Sequence, residues 1–139
     1  MKISVETTVK SSIANVWSCW TTPEDINQWN AASPDWHNPH SVNDFRIGGH
    51  FLYRMEAKDG SMGFDFAGTY TNIIEGTLIE YVFGVERNVS ICFVPVADGI
   101  KIIESFDTED EHSVEQQRQG WQSILNNFKT YTEAKIPQA

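Results

Sequence analysis

Residues 50–74 read HFLYRMEAKDGSMGFDFAGTYTNII, and this stretch decides the fold. On both sides of residues 58–61, which have the composition of a tight turn, apolar and polar residues alternate as they do in an antiparallel hairpin. The charged residues of both strands share one face, which is therefore the face in water. The opposite face is largely aromatic and is predicted to point into the protein: Phe51, Tyr53, Met55, Phe64, Phe66, Gly68 and Tyr70.

The same alternation continues on both sides of this hairpin. The chain contains 13 Ile and 10 Val against 3 Leu, and β-branched residues favour strands. Glycine-containing turns at 48–49, 75–76 and 97–99 separate the segments. Together these signals predict seven strands, at residues 2–9, 41–47, 50–57, 62–74, 77–83, 87–96 and 100–107.

Two short helices are predicted after the first strand. Ser11 or Ser12 supplies the N-cap of a helix that ends at Trp20, and Thr22, followed by proline, begins a second one. Residues 30–40 contain two prolines and no periodicity, so this segment is predicted to be an irregular loop.

Ser113 begins a long C-terminal helix that is predicted to reach Lys135. Its expected buried stripe is Val114, Gln117, Arg118, Trp121, Ile124, Leu125, Phe128 and Tyr131. One long amphipathic helix can cover one face of an antiparallel sheet. The predicted fold class is therefore α+β, with a curved seven-stranded antiparallel sheet wrapped around the C-terminal helix in a single domain of residues 1–139. Where the sheet and the helix diverge, a cavity is expected.

The chain is strongly acidic, with 19 Asp and Glu against 10 Lys and Arg and a formal net charge of -9 at pH 7. The field of such a protein repels a nucleic-acid backbone, so no nucleic-acid partner is expected. No apolar run approaches the roughly 20 residues that span a bilayer, so no membrane span is expected. Residues 104–115 hold six of the acids and no Lys or Arg. They are interpreted as a solvated loop and an acidic first helical turn, with a docking patch as the alternative.

No catalytic or metal-binding motif is recognisable. His37 and His40 follow Asp35 in the proline-containing segment, but zinc requires three or four converging ligands. Cys19 and Cys92 fall on apolar faces and are interpreted as core residues. Because the two cysteines form no disulfide framework and no export signal is recognisable, the expected location is the cytoplasm. No metal, no cofactor and no catalytic residue is predicted.

Several strings resemble the START/Bet v 1-like (SRPBCC) superfamily, and specifically its AHSA1-like branch, related to the C-terminal domain of the Hsp90 ATPase activator. They are WSCWTTPE at 17–24 with Trp29, DFRIGGHF at 44–51, Asp59-Gly60, FAGTY at 66–70 and GWQSILNNF at 120–128. The resemblance covers essentially the whole chain and implies a helix-grip fold with an internal cavity. Members of the superfamily include lipid carriers, receptors, cyclases, hydrolases and co-chaperone domains, so the fold alone does not assign the function.

The first functional hypothesis is a non-enzymatic module that binds a small, largely apolar ligand between the sheet and the C-terminal helix. A mostly apolar pocket with a few converging polar groups is typical of such sites. The expected lining residues are Trp36, Phe51, Tyr53, Met55, Phe66, Tyr70, Tyr81, Phe83, Ile91, Glu104, Gln117, Arg118 and Trp121. Tyr53, Tyr70 and Glu104 are the expected partners of the Gln117 and Arg118 side chains.

Two other hypotheses remain open. The second is a cyclase- or hydrolase-type enzyme in which Glu104 and a histidine or tyrosine form an acid–base pair. The third is a chaperone-interaction module, as the resemblance to the Hsp90 activator implies. Gly120 in the middle of the long helix is expected to mark a close approach, because glycine there costs about 1 kcal/mol relative to alanine. Trp121 is expected to be mostly buried at the boundary between packed core and cavity.

Overall fold

The computed structural model describes residues 2–135. Seven strands and three helices follow one another along the chain. They are β1 (Lys2–Val9), α1 (Ile13–Thr21), α2 (Pro23–Trp29), β2 (Trp36–Asn43), β3 (His50–Ala57), β4 (Gly63–Ile74), β5 (Leu78–Phe83), β6 (Arg87–Val96), β7 (Gly99–Asp107) and α3 (Val114–Ala134).

The seven strands form one antiparallel sheet in the order β1-β7-β6-β5-β4-β3-β2. The sheet curls as a half-barrel, and the long helix α3 packs against its concave face. The α+β fold class, the seven-stranded curved sheet and the two short helices after β1 are therefore confirmed. Within residues 2–135, no helix is both long enough and apolar enough to cross a membrane.

The local signals for turns and helix ends act as predicted. Ser12 caps α1, because its hydroxyl accepts a hydrogen bond from the Asn15 amide at 3.2 Å. Ser113 caps α3 and exchanges hydrogen bonds with Gln116 in a capping box. In the β3–β4 turn, the Asp59 carboxylate accepts hydrogen bonds from the Ser61 amide and hydroxyl. These interactions are local, which explains why the sequence signals them directly.

The predicted bounds of the second strand, residues 41–47, were wrong. Residues 36–43 form the strand, whereas residues 36–40 were assigned to a loop and residues 44–47 to the strand. Pro39 is tolerated because β2 is an edge strand and its register shifts between His37 and His40. The buried Asn38 amide donates hydrogen bonds to the main-chain oxygens of His40 and Arg54, which holds this irregular segment to β3.

The C-terminal half of α3 is firmly packed. Leu125 and Phe128 are fully buried in the core. Near the end of the helix the Tyr131 hydroxyl donates a hydrogen bond to the buried Asp25 carboxylate at 2.5 Å, and the Lys135 ammonium lies 2.6 Å from the same oxygen. These contacts fix the C-terminal end of α3 to α2.

The buried stripe of α3 differs from the predicted one at its N-terminal end. Arg118 is exposed, and so is Val114 in the first turn. Each residue advances about 100° around a helix, which turns Arg118 to the edge of the line through Gln117, Trp121 and Leu125. The charge of Arg118 therefore remains in water.

Candidate functional site

A cavity of about 350 Å³ lies between the sheet and the N-terminal half of α3. Strands β3 to β7 form one wall, α3 forms the opposite wall, and α1, α2 and the segment after α2 close one side. Its lining residues are Trp20, Trp29, Asn30, Ala32, Phe51, Tyr53, Met55, Phe64, Phe66, Tyr70, Tyr81, Ile91, Glu104, His112, Gln116, Gln117, Gly120, Trp121 and Ile124.

The sheet side of the cavity is an aromatic surface. Alternate residues of a strand share a face, so β3 contributes Phe51 and Tyr53, whose ring centroids are 4.7 Å apart. Phe51 also meets Tyr81 of β5 edge to face at 4.9 Å. On the helix side, Trp121 stacks on Phe106 with centroids 4.2 Å apart and planes within 9°. These packed rings hold the walls of the cavity in place.

Gly68 makes this aromatic surface possible. A Cβ atom at position 68 would lie 2.6 Å from the Phe51 ring and 2.8 Å from the Val82 main-chain oxygen. Phe51 is almost fully buried, so its ring has little room to move away. Gly68 therefore allows the close approach of the Phe51 ring.

Glu104 places a single carboxyl group in the cavity wall. It lies on β7 between Val5 of β1 and Ile91 of β6, and only 6% of its surface is exposed. Burial raises its pKa from 4.5 to about 8, because the charged form loses its hydration. Across residues 2–135, no side chain or main-chain group donates a hydrogen bond to this carboxyl, and no basic group pairs with it.

The tyrosine hydroxyls of the cavity are also removed from water. Tyr70 donates a hydrogen bond to the Asn43 side-chain oxygen at 2.6 Å, and burial raises its pKa to about 12. Burial is likewise the main reason why the pKa values of Tyr53 and Tyr81 are raised, and the Glu104 carboxyl contributes to the rise at Tyr81. All three phenols therefore stay neutral at physiological pH.

Gln117 does not make the contacts expected from the sequence. Its amide nitrogen donates to the main-chain oxygens of Glu109 and His112, both at 3.0 Å, and its oxygen accepts from the Glu109 amide at 2.9 Å. The predicted partners Tyr53, Tyr70 and Glu104 are not used, because the loop before α3 folds back over the side chain. Gln117 braces this loop beside the cavity, and Glu104 is left without a partner.

Comparison with known proteins identifies the family. The family model described as Activator of Hsp90 ATPase homolog 1-like protein matches residues 10–133. The chain belongs to this family. An AHSA1-like protein from Aeromonas hydrophila, solved in solution by NMR, is 46% identical, with 96% of this chain and 93% of that chain covered and a TM-score of 0.91.

Other solved structures are also similar to this AHSA1-like chain. A Cytophaga hutchinsonii protein is 49% identical, covers 95% of this chain and 92% of its own, and gives a TM-score of 0.83. A crystal structure from Chromobacterium violaceum, 18% identical, covers 97% and 99% with a TM-score of 0.85, a similarity of fold alone. No curated protein matches the chain.

Most of the residues predicted to line a cavity do so in this AHSA1-like domain, and three do not. Arg118 points into water. Phe83 packs against Phe66, and the Arg87 guanidinium covers its ring at 4.4 Å. Trp36 borders a separate, open groove beside the outer face of α3. The residues inside the cavity are Phe51, Tyr53, Met55, Phe66, Tyr70, Tyr81, Ile91, Glu104, Gln117 and Trp121.

The sequence-based list missed the side of the cavity that the short helices provide. Trp20 at the end of α1 and Trp29 at the end of α2 line it. Both also pack against Phe128, with ring centroids 4.7 and 4.9 Å away. Gly120 lines the cavity as well, but nothing lies within 4 Å of a Cβ built there. The expected close approach at Gly120 is therefore wrong.

The remaining reactive side chains lie outside the cavity, except His112, which lines it. Cys19 is buried, which raises the pKa of its thiol, and Cys92 is half-buried. His37 lies 4.0 Å from the Glu56 carboxylate on the outer strands. In the loop before α3, Glu109, Glu111 and His112 bring potential ligand atoms within 4.8 Å of one another. Hydrogen bonds within that loop account for the proximity. The Glu109 carboxylate accepts from the main-chain amides of Glu111 and His112 and also pairs with the His112 ring.

Proposed function

We propose that this protein binds a small, largely apolar ligand, without catalysis, in the cavity between the sheet and α3. The observation that carries the proposal is the 350 Å³ cavity with its aromatic lining and a single buried carboxyl. Its size falls within the range of ligand pockets, about 300–1,000 Å³, and such pockets are mostly apolar with few polar groups.

The energetic cost of the cavity supports the proposal. An empty apolar space in a core reduces stability, because the lining atoms lose contact partners. In this chain the space is bordered by Trp20, Trp29 and Trp121, which pack on their other sides against buried rings. A ligand that fills the space restores the missing contacts. In this proposal the protein acts in the cytoplasm, where its two cysteines stay reduced.

A matched pair of variants at Gly120 tests the proposal. Gly120→Phe adds a ring at a position that lines the cavity and has no neighbour within 4 Å, whereas Gly120→Ala adds one methyl group at the same site. Purified wild-type protein and Gly120→Ala are expected to carry or take up a small apolar molecule in native mass spectrometry and calorimetry. Gly120→Phe is expected to lose it while remaining folded. Equal uptake by all three proteins, or none by the wild type, contradicts cavity binding.

A second candidate function is acid–base catalysis at the same site. It is favoured by the Glu104 carboxyl, whose pKa of about 8 suits a group that exchanges protons near neutral pH, and by the nearby Tyr81 phenol. The test is turnover of a bound ligand, followed by chromatography of the products. If the wild type converts the ligand and Glu104→Gln still binds it but no longer converts it, the protein is an enzyme rather than a non-catalytic binding protein.

A third candidate, action on a chaperone, rests on the family match to Hsp90 ATPase activator homologs. A pull-down with Hsp90 combined with an ATPase assay tests it. A complex that stimulates ATP hydrolysis supports this function. The absence of both effects removes it.

A further inference from the structure

The carboxyl group of Glu104 sets the chemistry of the cavity's occupant. This side chain is more than nine-tenths buried and lines the cavity, and the part of the chain that the structure describes offers it no partner. A buried polar group without a hydrogen bond is costly, and a buried carboxylate without a counter-charge is more so. A positively charged occupant with a hydrogen-bond donor supplies both the hydrogen bond and the counter-charge.

We propose that the natural occupant is a small organic ammonium compound with an apolar body, its charged nitrogen donating a hydrogen bond to Glu104. This inference rests on the proposed binding function and names the class of ligand. Three further features of the site support a cation over a neutral or anionic molecule.

The first feature is the absence of a basic side chain from the lining. Among the described residues around the cavity there is no Lys or Arg, and the imidazole of His112 is already paired with the Glu109 carboxylate at 2.9 Å. A carboxylate or phosphate ligand would therefore find no counter-charge in the lining, and above the pKa of Glu104 it would face a second negative charge. Such like-charge contacts are strongly unfavourable in a desolvated site.

The second feature is the aromatic wall. Phe51, Phe66, Tyr81 and Trp121 surround the same space as the Glu104 carboxyl. The negative π faces of such rings attract ammonium groups, and the attraction is strongest where water is excluded. A carboxylate combined with several aromatic rings matches a cation with an apolar body.

The third feature is the charge at the cavity's edge. His112 and Gln116 line the cavity, and the chain around them carries Glu111 and Glu115, both exposed. The whole chain has a formal net charge of -9. A negative field around an opening raises the local concentration of cations and speeds their association.

Binding an ammonium ion requires the Glu104 proton to leave. The neutral carboxyl releases its proton to solvent, and the resulting carboxylate accepts a hydrogen bond from the ligand, which keeps its own charge. Because the pKa of Glu104 is about 8, the apparent affinity should rise about tenfold per pH unit from pH 6 to 8 and then level off.

The other titratable or charged groups near Glu104 are three tyrosines, Arg87 and His112. Tyr53, Tyr70 and Tyr81 face the cavity from β3, β4 and β5 and stay neutral in this range, because burial raises their pKa values. Arg87 on β6 acts electrostatically on Tyr81 and lowers its pKa. His112 lines the cavity from the loop before α3, where its ring is paired with the Glu109 carboxylate.

The experiment is isothermal calorimetry with three probes of matched shape: 4-phenylbutylamine, 4-phenylbutanol and 4-phenylbutyrate. At pH 8.5, where an alkylamine is still protonated, the amine is expected to bind roughly tenfold more tightly than the alcohol. The butyrate is expected not to bind. Glu104→Gln should remove the preference for the amine, whereas Glu75→Gln, in the exposed β4–β5 turn, should preserve it.

The outcomes separate this inference from the proposed function. If the alcohol or the butyrate binds as tightly as the amine, or if the amine's affinity does not change with pH, the ammonium assignment is overturned and cavity binding stands. If none of the three probes binds to the wild type, both proposals fail. Retention of the amine preference in Glu104→Gln also overturns the assignment.

Discussion

Replacing Glu104 with glutamine should make the protein more stable, and increasingly so as the pH rises. The folded-state pKa of about 8 lies above the ordinary value of 4.5. Between these values the folded protein retains a proton that the unfolded chain has released, so the wild-type stability falls as pH rises. At about 1.4 kcal/mol per pH unit, the loss reaches about 3 kcal/mol at pH 7 and about 5 kcal/mol above pH 8.

Glutamine has nearly the same shape and carries no charge, so Glu104→Gln avoids this loss. Urea unfolding followed by tryptophan fluorescence at pH 5, 6, 7 and 8 measures the difference in free energy of unfolding between the two proteins. The difference should be small at pH 5 and grow with pH. Groups such as Asp107, whose pKa the Asn88 amide lowers, are common to both proteins and cancel. If the difference in free energy of unfolding stays constant over the whole pH range, Glu104 is not a buried carboxyl without a partner, and the reasoning is refuted.

Three further substitutions test the packing around the cavity by the same urea assay. Trp121→Ala should lower the free energy of unfolding by about 2–3 kcal/mol, because the indole stacks on Phe106. The loss is smaller than in a filled core, because the indole already borders the cavity. A loss below about 1 kcal/mol would contradict this packing. Gly120→Ala should stabilise by about 0.5–1 kcal/mol, because nothing obstructs the new methyl group; any destabilisation would show an unrecognised contact. Gly68→Ala should cost about 1–3 kcal/mol by collision with Phe51, and Phe51→Leu should recover part of the loss; a neutral Gly68→Ala would disprove the collision.

The sequence predicted the strands and helices well where their signals are local. Alternation in residues 50–74 and the cap at Ser113 depend on a few neighbouring residues, and the structure places these elements within one residue of the predicted bounds. The bounds of the edge strand β2 were not predicted correctly, because its pairing depends on β3 and on the Asn38 side chain rather than on a regular pattern.

The candidate site was predictable in composition but not in geometry. Alternation placed Phe51 and Tyr81 on the face toward α3, and a face is a local property. Whether Gln117 or Glu104 lacks a partner depends on how the loop before α3 folds back, which no pattern in the sequence reveals. Arg118 was assigned to the buried stripe, but it lies about 100° around the helix from Gln117 and is exposed.

By itself, the sequence determined the order of the elements, the sheet-and-helix architecture and the aromatic character of the inner face, since periodicity and turn chemistry act over a few residues. The tertiary structure alone decided that α3 is fixed at its Asp25 end and bounds a 350 Å³ cavity at the other. It also decided that Glu104 is isolated there. Both depend on distances between residues far apart in the chain, which are set by the packing of the whole core.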